Sequence, residues 1–472
     1  MSKAAARPSY RCTECGWTTA KWVGRCGECQ AWGSVAEAAA PKGLTKAGPV
    51  SAPALPIGQV PIEDANSSSS GVPELDRVLG GGLVAGAVVL LAGEPGVGKS
   101  TLLLEVAAQT ARSGTRALYV SGEESASQVR LRADRCRGVH HELYLAAETD
   151  LGAVLSHIDE VRPRLLVVDS VQTISADGVE GVPGGVTQVK EVAAAIVRMA
   201  KTRGIATVIV GHVTKDGSIA GPRVLEHLVD VVLQFEGERS SRLRMVRAVK
   251  NRFGPVDEVG CFDLSSEGIV AVTDPSSLFV ARHHEPVPGT CVTVSLEGRR
   301  PMLAEVQALV TASAAERPRR STSGIESSRA TMIAAVLQQR AKMRLQNSDI
   351  FVATVGGARV TEPAADLAIA LAMGSAAKSV ALRNDIVAMG EIGLAGELRR
   401  VPEVRKRLAE AARLGFRSAI IPPENGSGAA RITEIEGLQV FEAPTLAHAL
   451  QLIEFGDALR PEDHPVYGKP SK

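Results

Sequence analysis

At 472 residues the chain is too long for one hydrophobic core and is expected to fold as two to four domains. Its 53 Lys and Arg nearly cancel 52 Asp and Glu, which excludes a global field strong enough to draw in nucleic acid, so any such contact must come from local patches. No stretch approaches the ~20 apolar residues of a membrane span, and "MSKAAARPSYRC" lacks the apolar segment of a secretory signal; a cytoplasmic protein with no membrane partner is expected.

Four of the seven cysteines lie in the first 29 residues. Cys12-x2-Cys15 and Cys26-x2-Cys29 are two pairs separated by ten residues. Each pair can place two sulfurs on one tetrahedral zinc ion, and four thiolates close the coordination shell. All three tryptophans (Trp17, Trp22, Trp32) fall in this module, residues 1–35, where they are expected to cover a core that needs the metal to fold. The alternative, a redox dithiol, lacks a surrounding thioredoxin-like strand and helix. A structural Zn2+ and a docking surface are expected, with no chemistry at the metal. Cys136, Cys261 and Cys291 are scattered, as ordinary buried thiols are. Residues 36–60, rich in Ala, Pro and Gly without a sustained period, read as a flexible tether.

From residue 61 to 275, short apolar runs alternate with helical patterns: "AVVLLAG", "TLLLEVAAQTAR", "RALYVSG", "LLVVDS", "VKEVAAAIVRMAKTRG", "IATVIVGH". Buried strands interleaved with helices imply an α/β domain with a mostly parallel sheet. "GEPGVGKST" (Gly93, Glu94, Pro95, Gly96, Val97, Gly98, Lys99, Ser100, Thr101) fits G-x4-G-K-[ST] between a strand and a helix. Backbone N–H groups of Gly96 to Lys99 are expected to cradle the phosphates of ATP, with Lys99 on the β- and γ-phosphates and Ser100 on Mg2+. Asp169, ending "RLLVVDS", is placed to hold Mg2+ through water. Glu123 and Glu124 in "YVSGEES" offer a carboxylate to orient water, Glu123 nearer the strand end; a solvated pair is the alternative. His212, ending "IATVIVGH", occupies a γ-phosphate sensor's position or is simply polar surface. Further on, "SRLRMVRAVKNR" alternates as a strand, "FGP" turns and "VDEVGCFDL" returns. Lys250 and Arg252, two apart, are expected to point the same way from the strand end. Beyond residue 275 an Arg/Ser-rich break, "ERPRRSTSGIESS", precedes "IFVATVGGARV", "AADLAIALAMGSAA", "VRKRLAEAARLG" and "RSAIIPP".

The spacing of "GEPGVGKST", "YVSGEES", "LLVVDSVQTI" and "VIVGHVTKDG" resembles the RecA-type ATPase core. With the four-cysteine knuckle in front and "KNRFG" behind, the whole order is similar to the RadA/Sms family of bacterial recombination proteins. The resemblance implies a RecA-like P-loop ATPase core with an N-terminal zinc knuckle and, over 286–458, a C-terminal Lon-protease-like α/β domain followed by a tail, 459–472. It implies a DNA-dependent ATPase and ring-type helicase, a homo-oligomer of hexameric form, that promotes branch migration on single-stranded or branched DNA with RecA recombinase. In ring ATPases of this kind a hairpin carries cations into the neighbour's nucleotide site. Lys250 and Arg252 would do so here, with an effect on the order of 10^3 or more in turnover, or would engage DNA; a solvated surface hairpin is the alternative.

Two glycine-rich loops, 175–190 and 214–227, match the central-channel loops of such rings. Lys190, Lys215 and Arg223 would contact DNA phosphates, with affinity falling steeply with salt. In a working Lon protease a serine follows the proline of "EPAADLAIALA" and a lysine near the start of the later helix is its base. Ala364 and Arg405 take those positions, so a peptidase is not expected. The domain is expected to hold the ring together and to offer Arg329, Lys378 and Arg383 to DNA. An ATP-dependent protease or protein remodeller is the alternative function.

Overall fold

The computed structural model describes residues 10–14, 17–37, 54–59, 67–212, 225–237, 242–281, 285–315, 317–423 and 431–454. Two compact units emerge, Met1–Pro61 and Ile62–Lys472. In the first, β1 (Tyr10–Cys12) is flanked by β2 (Thr18–Thr19) and β3 (Val35–Glu37) in an antiparallel sheet. Its small core is Cys12, Cys26 and Val35, with Tyr10, Trp17 and Val23 packed against them. Only one tryptophan, Trp17, therefore covers that core. Trp22 and Trp32 are 63% and 77% exposed, which corrects the expectation that all three shield it: with two thiols at the centre, the core has room for a single indole.

The second unit opens with a short pair, β4 (Ser67–Ser68) and β5 (Leu83–Val84), and α1 (Pro73–Leu79). A nine-stranded sheet follows: β6 (Val88–Gly93), β7 (Ala117–Ser121), β8 (Leu143–Ala147), β9 (Leu165–Asp169), β10 (Ala206–His212), β11 (Val231–Glu236), β12 (Leu243–Asn251), β13 (Val259–Ser265) and β14 (Gly268–Ala271). Its order is β14-β13-β12-β11-β6-β10-β9-β7-β8. The strands from β11 to β8 are parallel, and β12 to β14 add antiparallel strands at one side. The period-two alternation of a strand splits the apolar runs between two layers. Val89, Leu91, Leu165 and Val167 meet α2 (Lys99–Arg112) on one face. Val88, Leu90, Leu166 and Val168 meet α4 (Leu151–Val161) and α5 (Val186–Arg203) on the other. Burial on both faces is why these runs carry no polar alternation.

The rest of the unit is built on an eight-stranded sheet whose two longest strands, Thr290–Glu297 and Arg300–Ala312, pair antiparallel. The helix Asp366–Lys378, buried from Asp366 through Ser375, packs between this sheet and the helices Ser327–Arg340 and Leu446–Glu454. The two sheets share a small core, in which Val259 and Cys261 pack with Phe279 and Met302. Arg300 reaches into the first sheet's margin, where it pairs with buried Glu74 and donates to Thr273 O at 2.7 Å. Burial pushes the Cys261 thiol up to about 11 and the Cys291 thiol higher still, as expected of inert interior cysteines. No helix among the described residues is long and apolar enough to cross a membrane.

Candidate functional site

Parallel strands in one sheet end on one edge, so their C-terminal residues collect in a row. Here β6, β10, β9 and β7 are consecutive neighbours, with His212 level with Gly93 and Asp169 level with Ser121. The turn from β6 into α2 is the glycine-rich loop. Gly96 (φ 79°) and Gly98 (φ 112°) take left-handed conformations that favour glycine, and α2 starts at Lys99, leaving the amides of its first turn for an anion. Ser100 and Thr101 lie in that turn. Lys99 is buried, and its Nζ donates to Gly93 O at 2.8 Å and Glu94 O at 2.9 Å. Desolvation lowers its pKa, opposed by the charges of Asp169 and Glu123.

Those two carboxylates, with His212, make a polar cluster beside the loop. Glu123 Oε1 accepts from Ser170 Oγ at 2.6 Å and lies 2.8 Å from His212 Nε2. The His212 hydrogen bond, helped by Ser170 and the charges of His212 and Lys99, holds the Glu123 carboxyl down at about 2. Glu124 turns away and pairs with Arg132. Asp169 is buried; its Oδ2 accepts from Tyr119 Oη at 2.6 Å. Asp169 Oδ1 and His212 Nδ1 are buried without a hydrogen-bond partner. An unpaired carboxylate oxygen beside the start of α2 suits a hard cation's water shell, so Ser100 and Asp169 fit Mg2+.

Sequence reasoning missed Tyr119, Ser170 and Arg244. A tyrosine inside the buried run "RALYVSG" had to find a polar partner, which was a usable signal. Arg244 gave none: from β12 its Nε donates to Val97 O in the loop at 3.0 Å. A cavity of about 900 Å3 borders Glu94 and is lined also by Glu236, Arg247, Phe279, Glu297 and Arg359.

Lys250 and Arg252 lie elsewhere. Lys250 is level with Val232 and hence with Leu90, toward the end of β6 remote from the loop. Its Nζ donates to Glu226 O (2.7 Å) and Val229 O (2.8 Å), and Arg252 Nη1 is 3.1 Å from Asp230 Oδ1. Both cations point the same way, as their spacing suggested, and converge on residues 226–230 of their own chain. The carbonyls of Glu226 and Val229, in the turn leading into β11, are acceptors that the lysine satisfies. Arg252 remains 54% exposed.

Of the expected DNA contacts, Lys215 and Arg223 lie outside the described residues. Lys190 is exposed but sits on α5, which begins at Val186, so the loop is shorter than the 175–190 expected: the period of "VTQVKEV" is already helical. Arg329 is held by Asp366 (2.5 and 2.8 Å) and Arg383 by Asp385 (2.9 and 2.5 Å), so both are already paired within the chain; Lys378 is exposed. The two arginines near the start of the later helix differ in burial. Arg405 is on the exposed side of the helix Val404–Arg413. Arg407, fully buried, instead binds both oxygens of Glu362, two residues before Ala364. One and two residues along a helix do not share a face, and the inward face belongs to Arg407.

In the first unit, Cys12, Cys26 and Cys29 bring their Sγ atoms within 4.8 Å of one another, with Cys12 and Cys29 3.6 Å apart. Sulfurs on one tetrahedral zinc at ~2.3 Å are separated by about this much. Glu28 N donates to Cys26 Sγ at 3.4 Å. Cys15 lies outside the described residues; the three thiols and the knuckle spacing fit Zn2+.

A family described as an AAA domain matches residues 53–218, a rubredoxin metal binding domain matches 10–37, and subunit ChlI of Mg-chelatase matches 305–425. The DNA repair protein RadA of Mycolicibacterium smegmatis is 55% identical over 463 residues, 96% of this chain and 98% of that one. RadA of Mycobacterium tuberculosis strain H37Rv is 52% identical over 462 residues (96% and 95%), and that of Streptococcus pyogenes serotype M1 43% over 455 (95% and 99%). With a zinc-binding module, an ATPase core and a Lon-like domain in one order from end to end, the chain belongs to the RadA family.

Proposed function

We propose that this chain is a DNA-dependent ATPase and helicase that assembles as a hexameric ring in the cytoplasm and drives branch migration of single-stranded and branched recombination intermediates alongside RecA recombinase, in recombination and DNA repair. What supports the reading best is the row Lys99, Glu123, Asp169 and His212 on one edge of the sheet, joined through β11 and β12 to cations at the other.

Nucleotide bound at the loop would take Lys99 from the carbonyls of Gly93 and Glu94. Ser100 and Asp169 would hold Mg2+, which neutralises charge on the β- and γ-phosphates when bound. Glu123 orients the attacking water through Oε2, since Oε1 is occupied by His212 and Ser170. With its carboxyl at about 2, it acts as a fixed anion and acceptor more than as a strong base. His212, which bridges the cluster, reports the γ-phosphate to Glu123. Lys250 and Arg252 face away from their own loop and serve the neighbour's. Val249, Phe253 and Val256, all more than 40% exposed near them, suit a surface that another subunit covers. The division into knuckle, tether, ATPase core and Lon-like scaffold follows the same reading, with Lys190, Lys215, Arg223 and Lys378 as phosphate contacts. Ala364 has no nucleophile and Arg407 cannot act as a neutral base, so proteolysis is disfavoured.

ATP turnover measured with oligo-dT and with unfolded casein separates the two readings. Stimulation by DNA alone, with branch extension in the presence of RecA, is expected. Stimulation by polypeptide alone, with casein cleaved, would overturn the motor.

A further inference from the structure

The zinc module carries an aromatic slot that neither the metal nor the core uses. Trp22 and Trp32 flank Gly24: a methyl group built on that glycine would lie 3.8 Å from Trp22 Cη2 and 3.9 Å from Trp32 Cζ3. Both rings are fixed in place while exposed. Trp22 Nε1 donates to Val35 O at 3.1 Å. Arg25 lies over the Trp32 ring, 5.6 Å from its centroid, and donates to Gln30 O (2.9 Å) and Oε1 (2.6 Å). The Gly33 to Gly24 hydrogen bond, 2.9 Å, and the Arg25–Trp32 bridge tie the two edges together.

We infer that Trp22 and Trp32 form a base-stacking platform for single-stranded DNA, with Arg25 and the neighbouring exposed Lys21 as its phosphate contacts. Exposed aromatic faces beside cations are what a single strand recognises, because every base offers a π-face and every linkage a charge. A protein anchor is disfavoured by the surroundings. No other large apolar side chain is exposed among the described residues 10–37, so the apolar centre of a protein interface is missing around the two rings. The choice of DNA over RNA rests on the proposed motor function. The slot itself does not.

All three tryptophans of the chain lie in this module, so tryptophan emission, excited at the red edge where tyrosine does not absorb, reports on it alone in the full-length protein. The zinc-loaded protein is titrated with unlabelled oligo-dT while the anisotropy of a labelled copy is followed in parallel. The expected result is a saturable fall in emission that tracks the anisotropy, weaker with duplex DNA of the same length and with rising salt. Trp22→Ala and Trp32→Ala should each weaken binding by about 5- to 150-fold, with Trp32→Phe restoring most of it and unchanged zinc content showing that the module is folded. Oligonucleotide that binds by anisotropy without moving the emission, or that binds the alanine variants as tightly, overturns the platform and leaves the motor reading intact. Emission that answers to RecA and not to DNA makes the rings a protein anchor and also overturns it. No binding by either readout defeats both.

Discussion

Two glutamates of the chain have opposite fates. Glu123, its side chain 39% exposed, has one oxygen held by His212 and Ser170 and sits beside two buried polar atoms without partners, Asp169 Oδ1 and His212 Nδ1. Glu362 is gripped through both oxygens by Arg407, which also donates to Pro402 O (2.9 Å) and Val294 O (2.6 Å), while Leu296 N donates to Glu362 Oε1 at 2.7 Å. One cluster keeps spare hydrogen-bonding capacity at a helix start. The other consumes all of it inside the fold. Unspent polarity marks where a ligand belongs, and spent polarity marks architecture.

Removing the charge at the centre of the first cluster is expected to have the largest effect: Lys99→Ala should cut ATP turnover on the order of 10^3-fold or more, with folding unchanged by circular dichroism. In the second cluster, Arg407→Ala should leave chemistry alone and destabilise the second unit by about 3–5 kcal/mol, the cost of an uncompensated buried charge. Arg407→Met with Glu362→Leu should recover most of that in urea melts; a double variant as weak as the single one would deny that the pair is purely structural. Glu123→Gln should lower turnover by about 10^2- to 10^4-fold while nucleotide still binds, read by a fluorescent ATP analogue. Cys26→Ser should release zinc and shift tryptophan emission, with DNA-free ATPase activity preserved.

The smallest effect concerns pH. The folded-state pKa of Glu123 lies below its ordinary value, at about 2. Its ionised form is therefore favoured above the unfolded value, and that contribution is lost only as pH falls through the folded one. Turnover between about pH 5 and 8 should show no limb from this carboxylate; the Glu123→Gln profile, normalised, should match the parent's shape.

The nucleotide row was legible because each member ends a buried apolar run, and strand ends on one sheet edge are brought together by topology alone. The edge strand β8 was not: Leu143–Ala147 is largely solvent-exposed, so its run lacked the burial signal. Long-range side-chain contacts were equally silent. That Arg244 reaches Val97, or that Arg407 rather than Arg405 faces Glu362, depends on which side of an element faces inward. The period was readable for the helix Val404–Arg413, and placing Arg407 between Leu408 and the apolar positions before it would have shown its burial. The two exposed tryptophans had no such cue, since an aromatic in a 30-residue module is as well suited to core as to surface.

The central claim is that cations at one end of the sheet complete a neighbour's nucleotide site at the other. Mixing Lys99→Ala and Arg252→Ala subunits tests it directly, since the loop of one and the hairpin of the other remain whole. Each variant alone should be nearly inactive, and the mixture should regain DNA-stimulated turnover at the hybrid interfaces. A mixture no more active than its two components, with mixed assembly verified by light scattering and tag co-purification, would contradict action across subunits.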